Sequence, residues 1–135
     1  MKKIKIYYAV TLVSEIKDPI LDKINKQLLP KFGEIIPWFG TSPVDDMRTL
    51  FNFDKKAVES SDIVVAEVSY PSHGVGMEIM HAIHIKKPVV AIAMEDKIVS
   101  RMVQGVDYDK FQFIRYKNLE DLEKKLARLI AQLTI

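Results

Sequence analysis

The 135-residue chain has the length of one domain, with no room for a second. Hydrophobic residues make up 48% and charged residues 28%, the balance of an ordinary soluble globular protein rather than a disordered or membrane-embedded one. The absence of cysteine excludes a disulfide framework, a thiolate zinc site and a cysteine nucleophile, and a net charge of +2 spread along the chain argues against a nucleic-acid duplex as partner.

The chain opens Met1-Lys2-Lys3, but the apolar stretch behind it ends by Val13 and meets Glu15, too short and too soon acidic for a secretory signal. No stretch approaches the ~20 apolar residues of a membrane span. The expected location is the cytoplasm, with no membrane partner.

The first predicted strand is Ile4 to Val10. Asp18 before Pro19 is a cap and first-turn signal, and Ile20, Ile24 and Leu28 recur every four residues as a buried helical stripe does. That helix should stop near Pro30 and Gly33, giving way to a strand from Glu34 to Phe39 and a turn at Gly40-Thr41-Ser42-Pro43. A helix from about Val44 to Ser60 is expected to bury Met47, Leu50, Phe51 and Val58. Ile63-Val64-Val65-Ala66 has the composition of a central parallel strand, buried on both faces. After the turn Tyr70-Pro71-Ser72-His73-Gly74 comes a helix from about Val75 to Lys86, then a strand from Val89 to Met94. A less regular segment through Ser100 and Gly105 leads to a strand from Phe111 to Tyr116 and a last helix capped by Asn118, with Leu119, Leu122, Leu126, Leu129 and Leu133 on its core face.

This alternation predicts a single α/β domain over residues 1–135: a doubly wound, five-stranded parallel sheet of order 2-1-3-4-5 with helices on both faces. Such sheets bind ligands beyond the carboxyl ends of their strands, at the switch point between strands one and three. The loop after Tyr7-Tyr8 and the loop after Val68 should therefore build the site.

The second of these loops carries the chemistry. Pro71-Ser72-His73-Gly74-Val75-Gly76-Met77-Glu78 joins a central strand to a helix, whose free N–H groups and dipole attract an anion. Gly74 and Gly76 would let a ligand approach the backbone, and Ser72 is either a ligand to that anion or only the helix cap. Gly74-Val75-Gly76 is not a dinucleotide fingerprint, since Ile79 occupies the third glycine's place and the motif follows the wrong strand. A phospho-acceptor reading fails as well, because strand one ends Ala9-Val10-Thr11 without acidic residues. Glu78, expected in the first helical turn, is either a dipole-compensating or a catalytic carboxylate. Glu67, beside it at the end of a buried strand, should hold backbone or tyrosine groups. Asp54 by itself reads as a solvated helix residue. His81 and His84 have no evident carboxylate partner, so neither a metal nor any other cofactor is expected. Trp38 and Phe39 end strand two beside the cleft, where either could stack on a base, while Met77 and Met80 read as core.

The run from Ser61 to Ile79, with its acidic strand end, Pro-Ser and Gly-x-Gly-x-Glu, resembles the signature of the nucleoside 2-deoxyribosyltransferase family, and most of all its 2′-deoxynucleoside 5′-phosphate N-hydrolase branch. Looser similarity reaches from Ile4 to the last helix. The resemblance implies cleavage of an N-glycosidic bond by double displacement, with Glu78 as nucleophile, Asp54 assisting base departure or sugar positioning, and Tyr7 orienting Glu78. It implies Ser72 and the Gly74 amide as a 5′-phosphate cradle, and a homodimer in which Ser100 reaches the neighbouring subunit's phosphate site. After strand one the family has a glycine- and arginine-bearing loop, whereas this chain reads Ala9-Val10-Thr11-Leu12-Val13-Ser14-Glu15. A phosphate would be left to the helix terminus and Ser72, which implies an unphosphorylated or different N-glycoside, or weak activity. Deoxyribosyl transfer between bases, a noncatalytic nucleotide-binding module and a structural dimer are the competing readings.

Overall fold

The computed structural model describes residues 3–12, 16–37 and 46–134. Five parallel strands, β1 (Lys5–Ala9), β2 (Glu34–Ile35), β3 (Ile63–Glu67), β4 (Val89–Met94) and β5 (Phe111–Tyr116), form one sheet of order β2-β1-β3-β4-β5. The predicted order stands. Every residue of β3 is buried, as its β-branched run requires of a central strand, and its register sets Tyr7 beside Val64 and Ala9 beside Ala66.

Alternate strand residues feed two cores, because successive side chains leave opposite faces of a sheet. Tyr7, Ala9, Val64, Ala66, Ala91 and Ala93 pack on one face with residues of helices α2 (Met47–Ser60) and α3 (His73–His84). Ile6, Tyr8, Val65, Val90, Ile92 and Tyr116 pack on the other with the first helical segment and α5 (Leu119–Leu133). The Asp18 cap forms as predicted: its side chain accepts from the Ile20 amide, and Pro19 opens α1 (Pro19–Lys23). The segment then relaxes into a π-helical turn (Ile24–Leu28) and a 3-10 turn (Leu29–Lys31), as Pro30 has no N–H to continue an α-helical ladder. A short α4 (Arg101–Gln104), capped by Ser100, stands in the segment read as irregular.

Several expectations change. Strand two is confined to Glu34–Ile35 rather than running to Phe39, and Trp38 and Phe39 lie outside the described residues. Helix α2 begins at Met47 because the Asp46 carboxylate caps the Arg48 and Thr49 amides; Val44 too lies outside the described residues. Of its predicted core face Val58 is buried, but Met47 is 82% and Phe51 50% exposed. Met77 and Met80, read as core, are also exposed, for they lie on the side of α3 opposite Val75, Ile79 and Ala82. Helix α3 starts earlier than predicted, at His73, and ends at His84, two residues before Lys86 turns the chain with a positive φ of 67°.

Candidate active site

Tyr7 projects from β1 toward α3, and its hydroxyl donates a hydrogen bond to the Glu78 carboxyl. Glu78 is half-buried and sits at the sixth position of α3, not in its first turn as expected from sequence, since the Ser72 cap begins the helix two residues sooner. The favourable field of a helix N-terminus fades beyond the first turn. Burial therefore dominates, and raises the carboxyl from its ordinary 4.5 to about 7; the charge of Asp54 pushes in the same direction, while the Tyr7 hydrogen bond opposes both.

Asp54 comes from α2, half-buried and itself raised by desolvation. It does not face open solvent, as its mid-helix position alone suggested. Burial above all, and then the charge and hydrogen bond of Glu78 and the charge of Asp54, raise the Tyr7 phenol far above its usual range, so it stays a neutral donor. Three residues distant in sequence thus meet at the switch point between β1 and β3.

Gly74 lies four residues before Glu78, on the same face of α3, and helical side chains lean toward the N-terminus. The space over Gly74 therefore adjoins the Glu78 carboxyl. Among the described residues a Cβ at Gly74 would meet nothing within 4 Å, so no packing among them requires glycine there, and they leave an approach to Glu78 open. Gly76 is likewise unobstructed by the described residues, yet it lies ~160° around the helix from Glu78 and does not face it. Ser72 is a cap, accepting from the Val75 amide at 3.3 Å; its hydroxyl proton, like the Gly74 N–H, has no partner among the described residues. Ser100 caps α4 beyond β4 and makes no hydrogen bond to Tyr7, Asp54 or Glu78 within the chain.

Glu67 does hold backbone and tyrosine groups, but on the other face of the sheet from Glu78 rather than beside it. It accepts from the Ser69 amide at 2.6 Å, the Ser69 hydroxyl at 2.9 Å and the Tyr116 hydroxyl at 2.5 Å. Sequence reading missed Ser69 and Tyr116 as its partners, although the period-two alternation from Ile63 through Val65 to Glu67 carried the signal for its face. It also missed Glu59, whose carboxylate stands 2.9 Å from His81 Nε2 across α2 and α3. Among the described residues no cluster of three histidine, cysteine or acidic side chains could hold a metal ion. No described helix is long and apolar enough to cross a membrane.

No protein-family model matches the chain. A protein of Thermofilum pendens named among the 2′-deoxynucleoside 5′-phosphate N-hydrolases is 31% identical over 123 residues, covering 90% of this chain and 73% of its own length. The 5-hydroxymethyl-dUMP N-hydrolase of Esox lucius is 30% identical over 128 residues, 85% of this chain and 88% of that protein. Among solved structures, the CMP N-glycosidase of Clostridium botulinum superimposes with a TM-score of 0.66 at 20% identity, over 91% of this chain and 98% of the other. The 2-deoxyribosyltransferase of Bacillus psychrosaccharolyticus gives 0.66 at 18% identity, over 93% and 95%. These two share the fold. By its sequence relatives, the chain belongs to the nucleoside 2-deoxyribosyltransferase family, with the 2′-deoxynucleoside 5′-phosphate N-hydrolases.

Proposed function

We propose that this enzyme hydrolyses the N-glycosidic bond of a nucleoside or nucleoside 5′-monophosphate, with 2′-deoxyribose the expected sugar, and that Glu78 is its nucleophile. The observation that carries the reading is a half-buried carboxyl oriented by the Tyr7 hydroxyl, flanked by a second carboxyl from α2 and adjoining the space over Gly74 that the described residues leave open. In the first step a Glu78 oxygen bonds to C1′ and the C1′–N electron pair leaves with the base, which takes the proton of the Asp54 carboxyl. Water then attacks C1′ and gives a proton back to the Asp54 carboxylate, the ester to Glu78 breaks with its electron pair returning to the carboxylate, and the sugar leaves with a new hydroxyl. Tyr7 holds the attacking oxygen in place throughout.

The 5′ end of the substrate is assigned to the start of α3, where the Ser72 hydroxyl and the Gly74 amide have no acceptor among the described residues. With no arginine in the loop after β1, binding of a phosphate there rests on neutral donors, and unphosphorylated nucleosides compete on nearly equal terms. A homodimer is supported by the apolar surface of α2 and α3, where Met47, Met77 and Met80 are exposed, and by Ile98 and Met102 flanking Ser100 at 93% and 77% exposure. In that dimer Ser100 serves the partner's 5′ site. The cysteine-free composition accords with a cytoplasmic location.

Release of free base from a panel of nucleosides and their 5′-monophosphates, followed by chromatography, tests the activity. Glu78→Ala should lose a factor on the order of 10³ or more in kcat. A slow 2′-fluoro analogue should leave a glycosyl adduct on Glu78 visible by mass spectrometry. Equal inertness of wild type and variant toward the whole panel would refute the proposal, and a new nucleoside formed from added acceptor base would turn the assignment to transferase.

A further inference from the structure

We infer that Glu67 is a positioning residue: its buried carboxylate fixes the connection from β3 to α3, and so the place of the Ser72 and Gly74 donors that receive the 5′ end of the substrate. The assignment of that end rests on the proposed function; the clamp itself rests on geometry alone.

Glu67 is 1% exposed and forms no ion pair among the described residues. A buried anion without a cation is costly, and an apolar residue of similar size would serve packing alone more cheaply. What offsets the cost is three donors: the Ser69 amide, the Ser69 hydroxyl and the Tyr116 hydroxyl. The Ser69 hydroxyl oxygen in turn accepts from the Met94 amide at 2.8 Å. One carboxylate thereby ties together the carboxyl ends of β3, β4 and β5, at the edge of the sheet where the ligand must sit.

From Ser69 only Tyr70 and Pro71 intervene before Ser72. Proline has one fixed backbone angle, and Tyr70 is held by its hydroxyl, which donates to Asp18 Oδ2 at 2.7 Å. A shift at Ser69 is therefore passed on to Ser72 with little slack. Glu78 is insulated from it, because Val75, Ile79 and Ala82 seat the body of α3 on the opposite face of the sheet. The clamp should govern binding of the substrate's 5′ end and leave the nucleophile alone.

In Glu67→Gln the amide NH2 opposes a donor that the carboxylate accepted. For whichever substrate the wild type turns over, KM should rise about tenfold, the worth of one charge-assisted hydrogen bond, while kcat stays within about twofold and the acidic limb of the pH profile does not move. Amide hydrogen exchange at Ser69 and Val75, whose N–H groups are hydrogen-bonded in this stretch, should quicken about tenfold, with Ile79–His84 unchanged. Tyr116→Phe removes one donor and should move the same quantities the same way, by less; it carries the test if Glu67→Gln does not fold. A loss confined to kcat, or unaltered exchange at Ser69 and Val75 in a folded variant, would overturn the inference. If the wild type cleaves no nucleoside, the proposed function fails, and the exchange measurement still decides the clamp.

Discussion

Replacing Glu78 with glutamine should stabilise the fold in mildly alkaline solution. In the folded chain this carboxyl titrates at about 7 against an ordinary 4.5, chiefly because burial disfavours the anion. A carboxyl raised on folding binds its proton more tightly in the native state, so wild-type stability falls as pH climbs from 4.5 through about 7 and stays at the lower level above that. At about 1.4 kcal/mol per tenfold, the gap amounts to roughly 3 kcal/mol near pH 8. Glutamine keeps an oxygen for the Tyr7 hydroxyl and carries no charge at any pH. Glu78→Gln should therefore melt about 10 °C above wild type near pH 8, with the two melting points converging near pH 4.5. Thermal melts by circular dichroism across that range measure it. Equal melting points at pH 8, or a gain that does not shrink on acidification, would refute the placement of a desolvated carboxyl beside Asp54.

The two neighbours of Glu78 act on it with opposite sign. Tyr7→Phe removes the hydrogen bond that favours the anion and should move the acidic limb of kcat/KM to higher pH, whereas Asp54→Asn removes a repelling charge and should move it lower; limbs displaced in the same direction would contradict the geometry. Gly74→Ala places a methyl group where none of the described residues stands within 4 Å, so the helix should gain up to about 1 kcal/mol in urea denaturation while KM rises about tenfold; unchanged kinetics would show that the substrate passes elsewhere.

Much of this arrangement was legible in the sequence because it rests on local patterns. The β-branched run of β3, the Asp18-Pro19 start of α1 and the leucine spacing of α5 each state one element, and their alternation fixes the parallel order. Tyr7 and Glu78 could be paired through the family signature, not through spacing, for only the sheet brings residues 71 apart into contact. What local reading could not supply was orientation. Met77 and Met80 count as core by composition, yet the rotation of α3 that buries Val75, Ile79 and Ala82 turns them outward. Glu67 and Glu78 are eleven residues apart in one strand-helix unit, and only the strand's pleat reveals that the sheet lies between them. The position of Glu78 within its helix likewise turned on a serine cap two residues earlier than periodicity indicated.

The sheet leaves β5 as an outer strand six residues long, a row of backbone groups that a second molecule could extend into an intermolecular sheet. Its sequence guards against this. Lys110, Arg115 and Lys117 set cations at and beside the strand, and the Arg115 carbonyl is already occupied by the Lys125 ammonium at 2.7 Å. Substituting neutral side chains at Lys125 and Lys117 should leave the native contacts of the opposite edge intact while making the protein prone to aggregate, which would place a colloidal safeguard at the rim farthest from β2.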